Sequence, residues 1–69
     1  SEHTYLQIIG ALLHTFLDSS PAGKPLSVFK SQAAIVDAVT ARHNDIPGLS
    51  KRTLDEKFAA ANRSLKKTT

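Results

Sequence analysis

The stretch GLSKRTLDEKFAAANRSL, residues 48–65, decides how this chain folds. Its apolar residues Leu54, Phe58, Ala61 and Leu65 recur at i, i+4, i+7 and i+11, the spacing of one face of an α-helix. Ser50 stands just ahead of that stripe. Its side-chain oxygen is placed to accept from the backbone N–H groups around Arg52 and Thr53, which makes it the best N-cap in the chain. The pattern predicts a helix over residues 51–66, with the last residues, 66–69, fraying. Just upstream, Asn44-Asp-Ile-Pro-Gly48 is a break. Ile46 is driven towards an extended backbone by the proline after it, and Gly48 is placed to supply a positive φ.

Further back, a second helix is expected over residues 28–43, with Ser27 as its N-cap and Ser31 as a later alternative. Val28, Ile35 and Val39 fall on its buried side with Val36 and Ala38 beside them, while Lys30, Asp37 and Ala41 look outward. Phe29 is placed to act as a hydrophobic staple. Asp18-Ser-Ser-Pro-Ala-Gly-Lys-Pro25 is turn chemistry throughout and separates this helix from a first one over residues 4–17. In that first helix Leu6, Ile9, Leu13 and Phe16 share a face, with Tyr5, Leu12 and Leu17 on its shoulders and Ile8 and Ala11 outside it. An arc so wide marks the central helix of a bundle or half of a dimer contact. Ile8, Ala11 and Leu12 are therefore the candidate interface residues for a second copy or another protein. Gly10 costs about 1 kcal/mol relative to alanine in such a helix; it is either tolerated or makes room for a neighbouring helix. No run alternates convincingly at period two. The expectation is one all-α domain over residues 1–69, a small three-helix bundle whose second and third helices are arranged like a helix-turn-helix.

A chain of 69 residues supports a single thin core. It has no cysteine, which excludes disulfides, iron–sulfur clusters and thiolate zinc sites and fits a reducing compartment. A hydrophobic fraction of 41% argues against disorder. The longest apolar stretch, residues 5–17, is interrupted by Gln7, Gly10, His14 and Thr15 and falls short of the roughly 20 residues of a membrane span. A cytoplasmic protein without a membrane partner is expected. The Ser1 start fits either a removed initiator methionine or a piece of a longer protein.

Catalysis finds little purchase. The three histidines, His3, His14 and His43, have no second metal ligand at i+3 or i+4, so neither a metal nor any other cofactor is expected. Asp55 and Glu56 are adjacent rather than facing, and no phosphate-cradling glycine loop or Ser/His/Asp grouping is present. An enzyme is not expected.

Charge is distributed unevenly. Residues 1–50 carry Lys24, Lys30 and Arg42 against Glu2, Asp18, Asp37 and Asp45, a net of −1, whereas residues 51–69 carry a net of +4. That asymmetry points to an anionic partner for the C-terminal helix. Residues 48–58 resemble the turn and recognition helix of bacterial helix-turn-helix regulators, such as the activators of the arabinose-regulator type and the inversion-stimulation factor. In those families a glycine and an apolar residue precede a capping Ser or Thr. Two exposed positions, Thr-Leu and a large apolar residue follow. The resemblance implies a nucleic-acid-binding module from a transcriptional, plasmid or phage regulator, with double-stranded DNA as partner. Ser50 would cap the recognition helix, and Lys51, Arg52 and Thr53 would meet bases or backbone from its first turn. Arg63, Lys66 and Lys67, roughly in line with Arg52, would follow the phosphates, each contact adding about 0.9 to the salt slope.

Two features depart from that pattern. The break over residues 43–49 is longer than the compact turn, and no C-terminal wing is evident. Lys51 and Asp55, like Arg52 and Glu56, are spaced i, i+4 and can instead pair along a solvated helix face. With Tyr5, Phe16, Phe29 and Phe58 assigned to the core, base stacking is disfavoured. The other reading is a protein-interaction or oligomerisation domain built on the apolar first helix.

Overall fold

A computed structural model describes the backbone of residues 1–68 and the side chains of residues 1–66. Three α-helices run in order, α1 (Glu2–Leu17), α2 (Gln32–Arg42) and α3 (Lys51–Thr68), with a 3-10 turn at Pro47–Leu49 between the last two. The all-α, three-helix expectation is met. Among the described residues the sole β-pairing is an isolated bridge between Ser19 and Pro25. The helix over residues 51–66 extends to Thr68, so among the described residues the end that was expected to fray is helical; Thr69 lies outside them.

Local chemistry accounts for each helix start. The Ser1 hydroxyl accepts from the Thr4 N–H, so α1 begins at Glu2, two residues before the expected start, with an acidic side chain in its first turn. The second helix starts later than expected. Ser27 is not its cap, because its hydroxyl donates to the Phe16 carbonyl at 2.6 Å and accepts from the Phe29 N–H at 3.1 Å. Those bonds tie the loop to the end of α1. Ser31 caps instead, accepting from the Ala34 N–H at 3.2 Å. Val28, expected in the core, consequently lies in the loop and is 88% exposed. Ahead of it a tight turn closes with the Gly23 N–H donating to the Ser20 carbonyl, Gly23 taking φ 84°.

At the second break Ile46 is extended, as its position before a proline requires. Gly48 departs from expectation: it sits in the 3-10 turn without a positive φ. Ser50 caps α3 as expected, its oxygen accepting from the Thr53 N–H at 3.2 Å.

α3 is the spine. α1 packs along it, α2 packs on it over a shorter length, and α1 and α2 scarcely touch each other. The buried apolar residues among those described are Leu13, Ile35, Val36, Leu54, Phe58 and Ala61, with Ile9, Phe29, Val39 and Leu49 partly buried against them. Leu65, at the far end of the α3 stripe, is half-buried. The close approach of α1 to α3 depends on Gly10. A Cβ there would lie 2.8 Å from the Ala61 carbonyl oxygen, inside the limit of real contacts. The result is a slab, 39 × 27 × 14 Å across its Cα atoms, with α1 and α2 side by side over α3.

Candidate interaction surfaces

The α1–α3 contact uses less than half of the apolar arc of α1. Gly10 and Leu13 are buried and Leu6 and Ile9 half-buried, whereas Tyr5, Ile8, Leu12 and Phe16 are exposed, by 67, 51, 51 and 41%. The assignment of Tyr5 and Phe16 to the core is thereby corrected. With roughly 100° between successive residues, these four line up as one ridge beside the buried face. Of the three interface candidates from the sequence, Ile8 and Leu12 stand on this ridge. Ala11 is exposed but about 100° round the helix from Leu12, on the polar side with Thr15 and Gln7.

Beside the ridge lies a hollow of about 190 Å³ lined by Ile9, Leu12, Leu13 and Phe16 of α1, Ile35 and Val39 of α2 and Phe58 of α3. Every lining side chain is apolar. The hollow exists because α1 and α2 each pack on α3 and scarcely on each other, which leaves Phe58 as the floor of an open groove. Ile35, Val39 and Phe58 were legible as core positions. Their joint role as a groove floor depends on helix placement, which periodicity does not encode.

Of the candidate nucleic-acid residues, Arg52 and Arg63 lie on the side of α3 away from Phe58, whereas Lys51 stands at the start of the helix beside Thr40 and His43 at the end of α2. Lys51 and Arg52 are exposed, and each is paired along the helix: Lys51 Nζ with Asp55 Oδ2 at 3.0 Å and Arg52 Nε with Glu56 Oε1 at 3.4 Å. The Asp55 hydrogen bond, and then its charge, raise the Lys51 ammonium above the ordinary lysine pKa. Thr53 is half-buried, its hydroxyl oxygen 3.0 Å from Ser50 Oγ. Arg63 and Lys66 are exposed, about 16 Å of helix beyond Arg52 in the case of Arg63. The Lys67 side chain lies outside the described residues. The cations thus form two groups with a belt of carboxylates between them. Lys57 points elsewhere and meets Glu2 of α1 at 3.9 Å.

One polar feature was not legible beforehand. His14 Nε2 lies 3.2 Å from Asn62 Oδ1, and Asn62 Nδ2 donates to Gln32 Oε1 at 3.1 Å, so a hydrogen-bond chain joins all three helices. An amide oxygen only accepts, so His14 carries its hydrogen on Nε2. His14, Gln32 and Asn62 lie 18 and 30 residues apart, and no local pattern announces that they meet. Among the described residues there is no cluster of His, Cys, Asp or Glu able to hold a metal ion, and no helix is long and apolar enough to cross a membrane. No family model, curated protein or solved structure matches this chain.

Proposed function

We propose that this chain is a protein-interaction domain that receives an apolar surface in the groove between α1 and α2. The observation carrying this reading is the groove itself, an uncovered hollow with wholly apolar lining beside exposed Tyr5, Ile8, Leu12 and Phe16. Such a contiguous patch left in water contributes nothing to the stability of a domain with so small a core, and covering it adds the free energy of burial. A photo-reactive amino acid placed at Thr15, on the rim of the ridge, is expected to form covalent adducts in expressing cells. The same group at Glu56, on the opposite side, is expected to form none. Equal labelling from both positions, or none from Thr15, would count decisively against the groove.

A second reading, duplex DNA binding by α3, is favoured by the exposed first turn that Ser50 caps and by Arg63 and Lys66 pointing outward further along. The surface pairs weaken it, since Asp55 and Glu56 sit between the two cationic groups, although exposed pairs of this kind are worth under about 1 kcal/mol and exchange readily. If Arg52, Arg63 and Lys66 each cover a phosphate, log K falls with log salt at a slope of about −2.7. Replacing Asp55→Asn with Glu56→Gln then tightens binding, and Lys51→Ala with Arg52→Ala loosens it. Absence of duplex binding at low salt, or indifference to the lysine–arginine change, removes this reading. The groove reading is independent of the outcome.

A further inference from the structure

We propose that the occupant of the groove is a second copy of this chain, in a two-fold symmetric dimer that sets α1 against α1 and places Leu12 of each protomer in the hollow of the other. The proposal rests on the groove being a docking site and adds the identity of what docks there.

Area is the first argument. Folded monomers of 7.4 kDa expose about 4200 Å² by the scaling of globular proteins, whereas this chain exposes 5169 Å². The excess over the whole surface, about 1000 Å², to which the ridge and groove contribute alongside exposed Leu26, Val28 and Ile46, is of the order of the roughly 800 Å² that each partner buries in a standard interface. Shape agrees with area. The radius of gyration is 12.7 Å against about 11 Å for a compact chain of this length, and the slab is only 14 Å thick. Stacking a second slab on the grooved face adds the missing layer.

The face is also self-complementary. A two-fold contact needs knob and hole on the same surface, because each subunit offers the other the identical patch. Here the half-exposed Leu12 stands on the rim of the hollow that it lines, with half-exposed Ile8 one turn before it. At about 190 Å³ it has room for one large apolar side chain, since apolar cavities of about 150 Å³ take up benzene.

Charge separates a second copy from an unrelated partner. Around a two-fold axis every charge meets its own image, and like charges brought together oppose association. Residues 5–17 contain no Asp, Glu, Lys or Arg at all, with His14 turned towards Asn62 rather than the ridge. A foreign partner would tolerate charges of one sign here, offered to their opposites. Among the described residues no charged one lines the hollow. Of those on α3, Arg52, Glu56 and Arg63 lie on the far side, Lys57 pairs with Glu2 of α1, and Lys51 pairs with Asp55 beside the end of α2.

Sedimentation equilibrium of the full chain is expected to give twice the 7.4 kDa mass, with a melting temperature that rises with chain concentration. Leu12→Glu is expected to weaken the pairing at least about a hundredfold, because a carboxylate would have to enter an apolar hollow. Glu56→Lys, on the opposite side, should leave it intact. Should Leu12→Glu unfold, the unaltered chain still decides: a concentration-independent melting temperature at single-chain mass overturns the dimer. The photo-adduct from Thr15 separates self-pairing from docking of another protein. Adducts of twice the chain mass support self-pairing, and adducts of other masses alone overturn it while leaving the groove as a docking site. No adduct overturns both.

Discussion

Gly10 shows how a single missing carbon organises the molecule. It lets α1 approach until Ala61 is fully buried, and a methyl group in its place would meet the Ala61 carbonyl oxygen at 2.8 Å. Helix propensity alone favours Gly10→Ala by about 1 kcal/mol, but the clash is with backbone, which gives way less readily than a side chain. The expected net effect is destabilisation of about 1–2 kcal/mol in urea unfolding. Gly48→Ala is the matched control. Its Cβ would meet nothing within 4 Å and its φ is not positive, so a gain of about 0.4–1 kcal/mol is expected. If both substitutions stabilise, α1 does not approach α3 closely at Gly10. From the sequence, Gly10 was open to two readings; the choice between them required the position of Ala61, 51 residues away.

At the scale of elements, the capping serines decide where helices begin. Ser31→Ala removes the α2 cap and is expected to cost about 1 kcal/mol, whereas Val28→Ser, a few residues upstream in the loop, should change stability by no more than about 0.5 kcal/mol. The reverse order in urea melts would restore the longer second helix expected from periodicity. The α2 start was misread for a physical reason: Val28, Ile35 and Val39 suit a helical face, yet Ser27 is occupied by the end of α1, 11 residues back. Ser50 and α3 were legible because their cap and stripe depend only on neighbours in the chain. Lys51–Asp55 and Arg52–Glu56 were legible for the same reason, as i, i+4 pairs on a helix.

Across the whole molecule two sides of the slab carry different chemistry, an apolar groove over Phe58 and the Arg52–Glu56 pair with Arg63 along the back of α3. Tyr5 offers a direct check on the grooved side, being the single tyrosine in a chain without tryptophan and two-thirds exposed beside that groove. Its fluorescence should be readily quenched by acrylamide in dilute solution and progressively protected as chain concentration rises. Protection that does not change with concentration would contradict self-pairing. Helix identity, the breaks, the Ser50 cap and the uneven charge could be read from the chain, because each is set locally, whereas the choice of Ser31 over Ser27 at the start of α2 depended on the end of α1. Which part of the wide apolar arc of α1 is covered, and that Ile35, Val39 and Phe58 floor a groove instead of closing a core, followed only from the packing. Those outcomes turn on how closely Gly10 admits α3 and on how little α1 and α2 touch, and both are set by contacts between residues far apart in the sequence.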